Sequence, residues 1–361
     1  MVPDCTLVTA CFDLTKFHKG SRTLSDSINN MRHLLSVPCY LVIYTDHNCI
    51  ELIKDIRNTH NLNNLTNYII TDFEELKYFK YNDIIKNNRI NYHPTKDERT
   101  SSESHILCCS KFDLVLQTIE KNPFNTNKFG WIDANLSENF KKICENYTNN
   151  MLLYVLNNIT DKFHIQILNV NDKKYKEPHN KKEYYNSYHW VVCGCLFTTG
   201  KQNGVKILSR LNELFEKTTE LGYGHGEEML YLEILDEFYD DIARSYGDYH
   251  NILNNFITPT KGYYYINELI IKNYLNYGYH RECYDCCKKL LNEIENYRVE
   301  IDYSMYFSIL FSFLVATYYY KHNESKELLQ HIEKLIEINP YVKREFEKNK
   351  DFYSTQFSYI R

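Results

Sequence analysis

The stretch "NKFGWIDANLSENF" over 127–140 carries the residues best suited to chemistry. An apolar run there ends in a lone acid, Asp133, and Asn135 follows two positions later. Carboxylate and amide oxygens in an Asp-x-Asn at a strand end can hold a hard divalent cation, with phosphate oxygens completing its shell. A helix start is read at Ser137, so Asp133 falls in a strand-to-helix connection with no capping duty of its own. Asp46 and Asp72 also close apolar runs, but both have such a duty: Asp46 directly precedes a helix, and Asp72 stands three residues before Glu75 at capping-box spacing.

For an acid to act at a strand end, a sheet must place it there. Short β-type runs occur at 6–12, 39–46, 67–72, 128–133, 163–168 and 190–199. Amphipathic helical patterns lie between them, as in "LSDSINNMRHLLSV", "NCIELIKDIRN", "ESHILCCSKFDLVLQTIEK" and "GVKILSRLNELFEKTTEL". Continuous apolar strands alternating with helices imply an α/β domain, a Rossmann-like and mainly parallel sheet with helices on both faces. In such a sheet ligands bind at the carboxyl ends of the strands. No G-x-G-x-x-G follows the first strand, and no Walker lysine loop or G-x-S-x-G elbow is present, so dinucleotide, P-loop and α/β-hydrolase readings lose their main support.

After "TPTKGYYY" at 258–265 the strand signals stop and helical periodicity takes over. We therefore expect two domains, 1–258 and 259–361. At a spacing of 45, Cys283, Tyr284, Cys287, Leu290 and Leu291 overlay on Leu328, Leu329, Ile332, Leu335 and Ile336. That repeat suggests stacked, tetratricopeptide-like helical hairpins, serving either as a cap on the α/β core or as a recognition module.

The chain has 361 residues, a net charge of −5 and 12 cysteines. The acidic balance argues against a nucleic-acid footprint, and the basic run at 171–185 reads as a solvated loop. No signal peptide is expected, and the apolar run at 305–320 is shorter than the roughly 20 residues of a bilayer span, so we expect a cytoplasmic protein without a membrane span. "CYDCC" at 283–287 lacks a second ligand pair, so its thiols read as packed core residues rather than a zinc site.

"TLVTACFDL" at 6–14, "SKFDLVLQTIEKNPFNTNKFGWIDANL" at 110–136 and "RSYGDYHNILNNF" at 244–256, in that order, resemble the bacterial HtrL/YibB-type family, which is related in pattern to GT-A glycosyltransferases. The resemblance covers 5–257 and leaves the helical tail outside. It implies a GT-A-like fold, a nucleotide-sugar donor (a UDP-sugar), Mn2+ or Mg2+, and glycosyl transfer to a glycan or protein acceptor. By position it implicates Thr9, Ala10 and Asp13 in cradling base and ribose, and Lys111 in facing the donor phosphates. Trp190, Cys193 and Gly194 would lie beside the donor sugar. Asp133 matches the metal acid, Asn135 stands where a second acid is usual, and His250 would be a late metal ligand beside Asp248. His225, Glu227 and Glu228 would lie near the acceptor, where a carboxylate such as Glu228 can take the hydroxyl proton.

The leading expectation is thus a metal-dependent glycosyltransferase. The alternative is a catalytically lapsed sugar-nucleotide fold that binds a protein partner, or a second copy of itself, through its C-terminal helices. Nucleotidyl transfer ranks third, since no basic phosphate loop follows the first strand.

Overall fold

The computed structural model describes residues 2–17, 23–90, 101–136, 148–187, 189–224, 226–249, 252–257, 264–297 and 301–361. Seven strands, Cys5–Cys11 (β1), Tyr40–Thr45 (β2), Thr66–Ile70 (β3), Lys128–Ile132 (β4), Phe163–Ile167 (β5), Val192–Gly200 (β6) and Ile242–Tyr246 (β7), share one sheet in the order β3-β2-β1-β4-β6-β5-β7. β3, β2, β1 and β4 are parallel neighbours. β6 runs antiparallel to both β4 and β5, so β5 points the same way as the first four and the sheet is mostly parallel. The six expected strands are present. β7, "IARSY", lacked a signal because it is a short edge strand with Arg244 and Ser245 in its middle.

Helices Leu24–Leu35 (α1) and Ile50–Thr59 (α2) cover one face, where Leu41 and Ile43 of β2 join Met31 and Ile53 in a buried cluster. On the alternate face Tyr44 reaches the long helix Ser102–Lys121 (α4), its hydroxyl donating to Leu114 O at 3.1 Å. Between α2 and α4 lies the short helix Asn82–Asn88 (α3). Helix α4 begins at Ser101, whose hydroxyl accepts from Ser104 N, and stops at Asn122, which takes the left-handed conformation at φ 39°. Further along are Asn149–Asn157 (α5), Lys181–Asn186 (α6), Lys201–Glu220 (α7), Tyr231–Glu237 (α8) and Ile252–Ile257 (α9). Helix α7 packs on α4.

Asp72 caps as its spacing predicts, whereas Asp46 holds the turn ahead of α2, whose N-cap is Cys49 without a side-chain bond. Asp46 Oδ1 accepts from Asn48 N and Cys49 N at 3.0 Å each, ahead of α2. Asp72 and Glu75 form a capping box around a 3-10 turn at Phe73–Glu75. The proposed helix start at Ser137 lies outside the described residues. Arg57 of α2 is fully buried and uses its guanidinium as a hub. It donates to the carbonyls of Leu35, Val37, Cys39 and Leu62 and to Thr66 Oγ1, satisfying loop and strand-entry acceptors that water cannot reach.

The chain divides into two compact units. The first comprises 1–168, 174–245 and 249–257; the second comprises 169–173, 246–248 and 258–361. The second unit is helical after Tyr264, with helices Tyr264–Asn276, His280–Tyr297, Tyr303–Tyr320, His322–Ile338, Pro340–Lys348 and Lys350–Ile360. Cys283, Cys286 and Cys287 are buried in its core with Leu310, Leu314 and Ile332, as expected of packed thiols. Among the described residues no helix is long and apolar enough to cross a membrane. In the basic run, Lys174, Lys176 and Lys181 pair with Glu183, Asp236 and Glu233, so much of its charge is neutralised within the protein.

Candidate active site

The site grows from a gap in the sheet. β5 meets β6 at Ile165↔Phe197 and next at Gln166↔Cys193, which leaves Gly194, Cys195 and Leu196 without a β5 partner. On the other side β4 ends with Ile132 opposite Leu196, and Asp133 N donates to Cys195 O at 2.9 Å. The peptide of Gly194 is left to side chains. Its N–H donates to Glu228 Oε1 at 2.9 Å, and its carbonyl accepts from Lys111 Nζ at 2.9 Å. A Cβ at this position would meet Glu228 Cγ at 3.2 Å and Glu227 Oε1 at 3.3 Å, so glycine is what lets the Glu227–Leu230 turn dock on the strand.

Lys111 projects from α4 into this gap and is 1 % exposed. Besides Gly194 O, its ammonium contacts Asp133 Oδ1 at 3.3 Å and Glu227 Oε1 at 3.4 Å. It also lies 5.6 Å from the centre of the Trp131 ring. Burial works against its charge, but Asp133 and Glu227 outweigh that and raise its pKa well above the ordinary lysine value. Glu228 is the opposite case. Burial, then the neighbouring Glu227, push its carboxyl up to about 8, against the lowering effect of the Gly194 N–H, the Tyr249 hydroxyl and Lys111. Tyr249 donates to Glu228 Oε1 at 2.5 Å, and Trp131 Nε1 donates to Asp133 Oδ1 at 2.5 Å.

Asp133 opens onto a cleft of about 270 Å³ at the carboxyl ends of β1 and β4. Ala10, Cys11 and Phe12 line it from β1 and the residue after it, Ser104, Leu107 and Cys108 from α4, and Trp131, Asp133, Ala134 and Asn135 from β4 and the turn that follows. Among the described residues, Asp133 is the one charged residue in this lining. Asn135 Oδ1 accepts from Asn30 Nδ2 at 3.2 Å.

The structure therefore brings Ala10, Asp133 and Asn135 to the cleft and gathers Lys111, Gly194, Glu227 and Glu228 behind Asp133. The other candidates sit elsewhere. Lys111 is outside the described cleft lining and has three oxygen partners inside the protein, one for each N–H of its ammonium. Glu228, buried against Gly194, does not line the cleft to take an acceptor proton, and neither does Glu227. Thr9 and Cys193 are fully buried strand residues outside the cleft lining, and the Thr9 hydroxyl has no partner among the described residues. Asp13 sits in the loop after β1, its N–H on Asp46 Oδ2 at 2.7 Å and its carboxylate accepting from Thr15. Trp190 is 53 % exposed before β6, also outside the lining. His225 and His250 lie outside the described residues. Sequence reasoning missed the polar roles of Trp131 and Tyr249. For Trp131 a signal existed: residues two apart on a strand share a face, and Trp-x-Asp has that spacing.

The family model described as "Bacterial protein of unknown function (HtrL_YibB)" matches residues 3–221, more than half of the chain. The chain belongs to the HtrL_YibB family. The HtrL_YibB match includes Lys111, Asp133 and Gly194 and ends before Glu227, Glu228 and Tyr249. Among solved structures, this HtrL_YibB chain is similar to apo mouse xyloside xylosyltransferase 1, with 12 % identity and a TM-score of 0.36 over 66 % of this chain and 84 % of that one. No curated protein matches it.

Proposed function

We propose that this HtrL_YibB protein is a GT-A-like glycosyltransferase that moves a sugar, hexosyl or N-acetylhexosaminyl, from a nucleotide-sugar donor (a UDP-sugar) to a hydroxyl of a glycan or protein. The observation that carries this reading is Asp133, presented at the end of β4 to a cleft at the carboxyl ends of the strands, where α/β sheets bind their ligands.

No lysine, arginine or histidine lines that cleft among the described residues, so a diphosphate entering it needs a cation brought with it. Asp133 and Asn135 offer one carboxylate and one amide oxygen on the same wall, a donor set that suits Mn2+ or Mg2+ sharing its shell with substrate phosphates and water. When bound, the ion supplies charge stabilisation for the departing diphosphate. The chain's own residues do the rest. Ser104 and Asn135 offer hydrogen bonds to sugar or ribose hydroxyls, while Phe12, Leu107 and Trp131 supply apolar wall. Lys111 and Glu228 fix the Gly194 peptide behind Asp133, and Glu227 holds Lys111, so the acid sits on a rigid support.

Calorimetry with UDP in Mn2+ tests the reading. Binding is expected for the wild-type protein and lost in Asp133→Ala; a folded wild-type protein that takes up no UDP with Mn2+ would sink it. A second reading, a catalytically lapsed protein whose tetratricopeptide-like helices dock a partner or a second copy, draws on Asn135 standing where a second acid is usual. Release of UDP from a UDP-sugar by the full chain decides against it.

A further inference from the structure

We infer that Trp131 and Lys111 are positioning residues that commit Asp133 to present a single oxygen, Oδ2, to the cleft. This rests on the reading of Asp133 as the acid of a cation-assisted site and adds how that acid is aimed.

Asp133 Oδ1 receives two donors, Trp131 Nε1 at 2.5 Å and Lys111 Nζ at 3.3 Å. Oδ2 has no hydrogen bond among the described residues, and the side chain is 36 % exposed on the cleft wall. Neither donor is free to swing away. Trp131 is 3 % exposed and belongs to β4, two residues before Asp133 on the same face. Lys111 is anchored at its far side by Gly194 O and Glu227 Oε1. Glu227 thus places a second carboxylate beside the buried ammonium, at 3.4 Å.

An acid with one oxygen already taken by two donors can ligate a cation through the other only. Single-oxygen ligation suits the compact octahedral shell of Mg2+, which Mn2+ tolerates equally; Ca2+ has a larger, more flexible shell that readily takes both oxygens of one carboxylate. The bracket on Oδ1 therefore makes the site select against Ca2+. This is a choice of metal made by residues that never touch it, a familiar consequence of outer contacts on a ligating group.

The test is the ratio of Kd values for UDP measured by calorimetry in saturating Ca2+ and in saturating Mn2+. The wild-type protein is expected to prefer Mn2+ by tenfold or more. Trp131→Phe keeps the ring and frees Oδ1, and should narrow that preference at least fivefold; loss of packing alone would weaken both measurements together and leave the ratio unmoved. Should Trp131→Phe not fold by circular dichroism, Lys111→Met removes the other donor and should narrow the ratio in the same direction. A ratio unchanged within twofold in a folded variant, while Asp133→Ala abolishes binding, overturns the inference and leaves the proposed function standing. Wild-type protein that binds UDP with neither ion, or Asp133→Ala protein that binds as wild type does, overturns the proposed function and this inference with it.

Discussion

Tyr249 and Glu228 are joined by a 2.5 Å hydrogen bond at the same carboxylate oxygen that holds the Gly194 N–H. The chain segment after β7 is thereby tied to the centre of β6 through one buried acid, and that acid is held with a raised pKa.

The raised pKa gives the fold a pH dependence of known sign. Glu228 titrates near its ordinary 4.5 when unfolded and at about 8 when folded, so the folded state holds its proton over a range where the unfolded state has lost it. Its contribution is fully present below pH 4.5 and is lost as pH rises toward 8. Each unit of difference is worth about 1.4 kcal/mol. Glu228→Gln, neutral at every pH and able to keep the Gly194 N–H, should flatten the decline of urea-unfolding stability between pH 5 and 8.

A Cβ at Gly194 would lie 3.2 Å from Glu228 Cγ and 3.3 Å from Glu227 Oε1, so the two glutamate side chains would have to shift. Gly194→Ala should cost about 1–3 kcal/mol in urea unfolding, the usual range for overpacking a tight core position. The same change should weaken ligand binding at the cleft, because Lys111 shares its grip between Gly194 and Asp133.

Arg57 should be among the most sensitive positions of the α/β unit. Arg57→Met removes the guanidinium from four carbonyls and a hydroxyl, of which Leu62 O and Val37 O keep other backbone donors. A loss of about 3 kcal/mol or more is expected, with the cleft residues untouched. Chemical denaturation of the variant, compared with Lys54→Met on the exposed side of the same helix, measures the difference.

Removal of divalent ions should abolish nucleotide binding, since the described lining of the cleft has no cation of its own. The protein has two tryptophans, and Trp190→Phe leaves Trp131 as the sole indole beside Asp133. Its emission should shift on adding UDP with Mn2+, return on adding a chelator, and stay still with UDP alone.

Much of this architecture was legible in the chain. Six strands showed as apolar runs, and Asp72 declared its capping role by spacing alone. Asp133 stood out because it ended such a run without that excuse. What the sequence hid was depth. Lys111 reads as a polar helix residue until β6 parts at Gly194 and leaves a carbonyl for it, and nothing local to 102–121 announces that gap. Glu228 is likewise an acid in a glycine-bearing loop whose burial is decided 34 residues earlier. β7 was missed because an edge strand needs little apolar character and so leaves little pattern.

The part of β6 that lacks a β5 partner also bears on the order in which the molecule comes together. Lys111, Asp133, Gly194, Glu228 and Tyr249 are spread along the first unit, and the Lys111–Gly194 and Gly194–Glu228 bonds span 83 and 34 residues. Such long-range closures come late, after local helices and neighbouring strands have formed. A nascent or truncated chain ending before Tyr249 would hold the sheet and the cleft walls, yet leave Glu228 without its hydroxyl donor. The buried support behind Asp133 is thus complete only in the finished α/β unit.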